Sequence, residues 1–119
     1  MGPRLSLVVI RAADLTRSRR FYESLGLTFR EERHGSGPPH LACELGDAVF
    51  EIYPSGSIPS PTVGTRIGFR IGDINAAVAS VPNLGGEIVS FPKDSAWGRR
   101  AVLRDPDGHT VELLEEPPG

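Results

Sequence analysis

The stretch Asp14-Leu15-Thr16-Arg17-Ser18-Arg19-Arg20-Phe21-Tyr22-Glu23-Ser24-Leu25-Gly26 decides the fold, because the chain repeats its pattern later. The second copy is Asp73-Ile74-Asn75-Ala76-Ala77-Val78-Ala79-Ser80-Val81-Pro82-Asn83-Leu84-Gly85. The aspartate, the aliphatic residue after it and the Leu-Gly pair recur at a constant offset of 59, about half of the 119 residues. Four positions in one register indicate two copies of a single supersecondary unit. Both copies read as amphipathic helices: Leu15, Ser18, Tyr22 and Leu25 share one face of the first, and Ile74, Ala77, Val81 and Leu84 the matching face of the second. Asp14 and Asp73 are placed to cap the helix starts, and Gly26 and Gly85 to end them. Pro82 should stop or kink the second helix near Val81.

Strands surround each helix. Leu5 to Arg11 precedes the first, and Arg66 to Ile71 precedes the second. Phe29 to Arg33 and Glu87 to Phe91 are short candidates. Two hairpins are stronger. Leu41–Leu45 and Ala48–Tyr53 flank the tight turn Gly46-Asp47, while Arg100–Arg104 and Thr110–Leu114 flank Asp105-Pro106-Asp107-Gly108. Each half therefore reads β-α-β-β-β. The expected fold is α+β: two tandem βαβββ modules whose curved half-barrel sheets surround a cavity. A single domain over 1–119 is expected, with module one at 1–56, a linker at 57–63 carrying Pro59 and Pro61, and module two at 64–119.

Composition narrows the function. With 13 basic against 15 acidic residues and a net charge of −2, the chain lacks the basic excess that phosphate neutralisation needs, so no nucleic-acid partner is expected. No apolar run approaches the ~20 residues of a membrane span, so no membrane partner is expected either. The single cysteine, Cys43, excludes an internal disulfide or a multi-cysteine zinc site and falls among core positions as an inert thiol. Met1-Gly2-Pro3-Arg4 and the short apolar run ending at Arg11 lack a signal-peptide pattern, which points to a cytoplasmic protein.

Strand alternation separates the hairpin faces. Leu41, Cys43, Leu45, Ala48, Phe50 and Ile52 form an apolar side for the first helix, leaving His40, Ala42, Glu44, Val49, Glu51 and Tyr53 opposite. In the second hairpin Ala101, Leu103, Val111 and Leu113 face the helix, leaving Arg100, Val102, Arg104, Thr110, Glu112 and Leu114. Glu51 and Glu112 thus occupy equivalent strands. If the polar faces curve together, the two acids project into one space; if not, both faces are simply solvated.

At these residues the sequence resembles the vicinal oxygen chelate superfamily, which includes glyoxalase I, extradiol dioxygenases, fosfomycin-resistance enzymes and bleomycin-resistance proteins. The segments that carry the resemblance are Asp14-Leu15 through Arg20-Phe21-Tyr22-Glu23-Ser24-Leu25-Gly26-Leu27, Val49-Phe50-Glu51-Ile52-Tyr53, and Arg104-Asp105-Pro106-Asp107-Gly108-His109-Thr110-Val111-Glu112-Leu113. The resemblance implies paired βαβββ modules around a cavity, in a homodimer. It also implies metal ligands on the first strand of each module and on the last strand of one or both. Those positions fall at Leu7, Arg66, Glu51 and Glu112. Leu7 has no donor atom, and the arginine guanidinium stays protonated and repels a cation. Two carboxylates fall short of the three protein ligands usual for catalytic zinc, although Mg²⁺ or Mn²⁺ can sit on two carboxylates plus water.

The expected protein is therefore a binder of a small organic ligand, with an incomplete metal site and no cofactor. Arg66, with Arg100, is expected to supply the positive charge that a metal gives elsewhere in the superfamily. The alternative is a lyase, isomerase or dioxygenase that holds a divalent metal on Glu51 and Glu112. His40 is a candidate acid, base or substitute ligand, or a surface histidine; Tyr53 is a candidate pocket wall. Trp97, the only tryptophan, either stacks on a flat ligand or caps the core. His34 is read as a solvated or lid residue, and His109 as structural.

Overall fold

A computed structural model describes residues 2–117. Strand β1 (Leu7–Ala12), helix α1 (Leu15–Glu23), β2 (Arg30–Glu32), β3 (His40–Leu45) and β4 (Ala48–Pro54) make the first module. Strand β5 (Arg66–Ile71), helix α2 (Ile74–Ser80), a 3₁₀ turn (Val81–Leu84), β6 (Glu87–Ser95), β7 (Gly98–Arg104) and β8 (Thr110–Glu115) make the second. The two four-stranded sheets have equivalent orders, β1-β4-β3-β2 and β5-β8-β7-β6. In each, the first strand pairs parallel to the last and the other pairs are antiparallel.

The local signals act as the sequence suggests. The carboxylates of Asp14 and Asp73 accept from the backbone N–H of Arg17 (3.1 Å) and Ala76 (3.0 Å), three residues on. Pro82 converts the end of α2 into the 3₁₀ turn, which closes on Gly85 in the left-handed region at φ 79°. The hairpin registers, Leu45 opposite Ala48 and Arg104 opposite Thr110, put the expected residues on the helix side. One element is longer than expected. β6 runs to Ser95 through two register shifts, tolerating Pro92 because it is an edge strand that need not donate every ladder hydrogen bond. Trp97 consequently sits in the tight β6–β7 turn, between Ser95 and Gly98.

One core serves both modules. Phe21 and Tyr22 of α1 are fully buried, and Tyr22 meets Phe50 of the first sheet and Phe69 of the second edge to face. A buried polar network adds a second tie. Asp105 accepts from the Tyr22 hydroxyl (2.6 Å) and from His109 Nδ1–H (2.8 Å). That tautomer leaves His109 Nε2 to accept from the Thr62 hydroxyl at 2.7 Å, and Thr62 also accepts from the Arg11 backbone N–H. His109 thus joins the β7–β8 turn, the segment between the sheets and β1, a structural part. Cys43 is buried in the same core.

Candidate functional site

Residues that share the polar side of the second sheet form a charged groove. On β5 the alternation Arg66, Gly68, Arg70 faces Thr110, Glu112 and Leu114 of β8, with Gly68 directly opposite Glu112. One oxygen of Glu112 accepts from Arg66 Nη2 at 2.7 Å and from Arg100 Nη2. These two guanidiniums, Arg66 foremost, hold the Glu112 carboxyl below the usual carboxylate range. Glu112 in turn raises Arg66 above its ordinary value. A groove of about 280 Å³ opens beside this clamp, lined by Gly68, Phe69, Arg70, Trp97, Arg100, Glu112, Leu113 and Leu114. Gly68 leaves its floor free of side chain, and Trp97, 78% exposed, stands on its wall. Two guanidiniums pair with one carboxylate here, and Arg70 is a further lining residue of the groove.

The first sheet carries a different group. His40 is fully buried, and its ring stacks on Tyr53 with centroids 4.1 Å apart and planes 8° apart. Arg11, opposite Tyr53 across the β1–β4 ladder, places its guanidinium 5.3 Å from the tyrosine ring centroid. His40 Nε2 lies 3.7 Å from Glu51 and 3.5 Å from Glu32, and exposed His34 lies 3.5 Å from Glu32. The other oxygen of Glu32 accepts from Arg30 Nε at 2.5 Å, and that hydrogen bond holds the Glu32 carboxyl below its ordinary value.

The sequence candidates therefore fall into two clusters. Arg66, Arg100, Glu112 and Trp97 meet on the second module, whereas His40, Glu51 and Tyr53 meet on the first. Arg66 and Arg100 both pair with Glu112, and the groups facing Glu51 are histidine and another acid. A crevice that both modules line, about 120 Å³, has mainly apolar walls such as Val8, Phe50, Ile67 and Phe69, and neither glutamate lines it. Sequence reasoning missed Glu32 and Arg70. Arg70 shares the alternation of Arg66. Glu32 lies opposite His40 in the β2–β3 register, so extending the pairing to β2 was the signal that exposed it.

The model of the Glyoxalase/Bleomycin resistance protein/Dioxygenase superfamily matches residues 4–113, and the chain belongs to that superfamily. It is 34% identical over 107 residues to an uncharacterized protein of Mycolicibacterium smegmatis, covering 88% of this chain and 87% of that one. It is 31% identical over 100 residues to the putative glyoxylase CFP32 of Mycobacterium tuberculosis, covering 82% of this chain but 38% of that longer protein. Among solved structures, TnmS3, an antibiotic binding protein from Streptomyces sp. CB03234, superposes with a TM-score of 0.71 at 23% identity over 96% of both chains.

The superfamily commonly uses a divalent metal, and the positions at which the resemblance places ligands do not suit one here. Leu7 has no donor, Arg66 is a cation bonded to Glu112, and Glu51 and Glu112 sit in separate clusters. Glu32, His34, His40 and Glu51, by contrast, bring four donor atoms within 4.8 Å of one another. No helix among the described residues is long and apolar enough to cross a membrane.

Proposed function

We propose that the protein binds a small, flat organic anion in the groove of the second module and holds it without a metal at that groove. The observation that carries this reading is the pairing of Arg66 and Arg100 with Glu112, beside a groove lined by Arg70, an exposed Trp97 and Gly68. In a metal-using relative a cation would face the last-strand acid; here two guanidiniums occupy its coordinating oxygen. The same architecture serves antibiotic binding in TnmS3, so ligand capture is within its scope. We assign the working form as a cytoplasmic homodimer.

Trp97 is the only tryptophan, so its fluorescence reports on this groove alone. Titrating the protein with aromatic carboxylates and phenolates should give a saturable change at one ligand per chain. Arg100→Ala should weaken it at least tenfold, in line with the loss of a charge-assisted bidentate contact (~1.5–3 kcal/mol). Absence of a saturable response across the panel, or an Arg100→Ala variant that binds as well as the parent, would refute the reading. The second reading, a metal-dependent lyase, isomerase or dioxygenase, draws its support from the Glu32, His34, His40 and Glu51 group.

A further inference from the structure

We infer that the first module holds a tetrahedral divalent transition-metal site, with zinc the best match, built from Glu32, His40 and Glu51 and completed by His34. This site lies within one sheet and the loop beside it. Three of its four residues lie outside the first- and last-strand positions at which the superfamily resemblance puts ligands, and the inference stands independently of the ligand groove.

The argument begins with His40. Its Nδ1 lies 3.2 Å from the Pro38 carbonyl oxygen, which can only accept, so the proton of the neutral ring sits on Nδ1 and Nε2 presents a lone pair. That Nε2 is buried and has no hydrogen-bond partner among the described residues. It faces two carboxylate oxygens, Glu32 Oε1 at 3.5 Å and Glu51 Oε2 at 3.7 Å. A lone pair held against two anionic oxygens is repulsive, and a cation between them turns all three contacts attractive. An Nδ1–H bound to a backbone carbonyl is also the usual support of a metal-ligating histidine.

The spacing fits. Ligands at about 2.1 Å from a tetrahedral ion are roughly 3.4 Å apart. The separations of 3.5, 3.7 and, from His34 Nε2 to Glu32 Oε1, 3.5 Å match three of the six edges, and all four donor atoms lie within 4.8 Å of one another, close enough for one ion to draw them in. Arg30 holds the second oxygen of Glu32 and so orients Oε1 toward the site. His34, 73% exposed, provides the entry side. Two imidazole nitrogens and two carboxylate oxygens are a donor set suited to Zn²⁺ or Co²⁺.

The test uses the full chain after treatment with a chelator. Zn²⁺ is titrated in competition with a chromogenic chelator, and Co²⁺ is added separately for its visible absorption. The site predicts one equivalent of Zn²⁺ per chain, and a Co²⁺ spectrum with the intensity of a tetrahedral centre. Because His40 is fully buried and its replacement endangers folding, Glu32→Gln and His34→Ala, on less buried positions, carry the test. Both should weaken Zn²⁺ at least tenfold, while Glu112→Gln leaves the stoichiometry at one. No uptake above background, uptake indifferent to Glu32→Gln and His34→Ala, or loss of the metal in Glu112→Gln would overturn the inference.

Discussion

Replacing Glu112 by glutamine should tighten anion binding while loosening the fold slightly, and the opposite signs make the substitution informative. Glutamine retains an oxygen that accepts from Arg66 and Arg100, so the geometry of the clamp survives while its negative charge disappears. Arg66, Arg70 and Arg100 against Glu112 leave two net positive charges at the groove, and the substitution makes three. An anion on the far side of a guanidinium is taken to stand roughly 6 Å from the Glu112 carboxylate. Two unit charges at that separation repel by ~0.7 kcal/mol at the dielectric of water and by ~2.8 kcal/mol at an effective 20. The Glu112 side chain is 31% exposed, which favours the lower part of that interval, about 1 kcal/mol or about fivefold in Kd. The effect should shrink as salt rises, because screening lengths fall to ~10 Å at 0.1 M.

Stability should move the other way. Exposed guanidinium–carboxylate pairs contribute ~0.2–1 kcal/mol each, so Glu112→Gln should lower Tm by about 2–5 °C. Because the folded protein holds the Glu112 carboxyl below its ordinary value, the advantage of the parent is present above about pH 4.3. It fades as pH falls through the lowered value, so the two stability curves should converge in acid. Calorimetric titration with an aromatic carboxylate and thermal melts from pH 3 to 7 read both effects. If Glu112→Gln binds the anion no better than the parent, Glu112 touches the ligand directly and the electrostatic reasoning is refuted.

Three further substitutions probe the groove and its support. Gly68→Val should fold normally, since a Cβ there meets nothing nearer than 3.9 Å, yet fill the groove floor and weaken ligand binding at least tenfold by fluorescence titration. Tyr22→Phe should cost ~1–3 kcal/mol in urea unfolding by leaving Asp105 short of a buried partner. Burial, then the Asp105 carboxylate, push the Tyr22 hydroxyl well above its ordinary value, so the parent should lose stability as pH rises beyond ~10 and the variant should lose less. Gly86→Ala should be the most damaging, because its Cβ would lie 2.6 Å from Phe21 and 2.8 Å from Val81 across the joint core; a loss of about 2–3 kcal/mol is expected by thermal melting.

The doubled architecture was legible because it rests on local chemistry. The capping aspartates, the Leu-Gly stops and the two hairpin turns each determine their own few residues, and the registers that follow put Glu51 and Glu112 on equivalent strands. Alternation puts Arg66, Arg100 and Glu112 on one side of adjoining strands, but the arginines, expected to compensate Glu51 and Glu112 together, pair with Glu112. The partners of the acids were harder to read. Whether both face one space depends on how the sheets sit against each other, and that is set by the shared packing of Phe21, Tyr22, Phe50 and Phe69, which no strand pattern encodes. Glu32 escaped notice because a three-residue strand has too little alternation to declare its face. Alternation puts His40 and Tyr53 on one face of the hairpin, but alternation does not report burial, and His40 is wholly buried with its ring stacked on Tyr53.

Calorimetry on a matched pair of ligands, one aromatic ring carrying either a carboxylate or a carboxamide, tests the guanidinium-lined groove most directly. The two molecules share shape and stacking surface and differ in charge. At low salt the carboxylate should bind at least tenfold more tightly, and the gap should narrow as salt is raised. Equal affinities, or a preference for the carboxamide, would contradict an anion site on the second module.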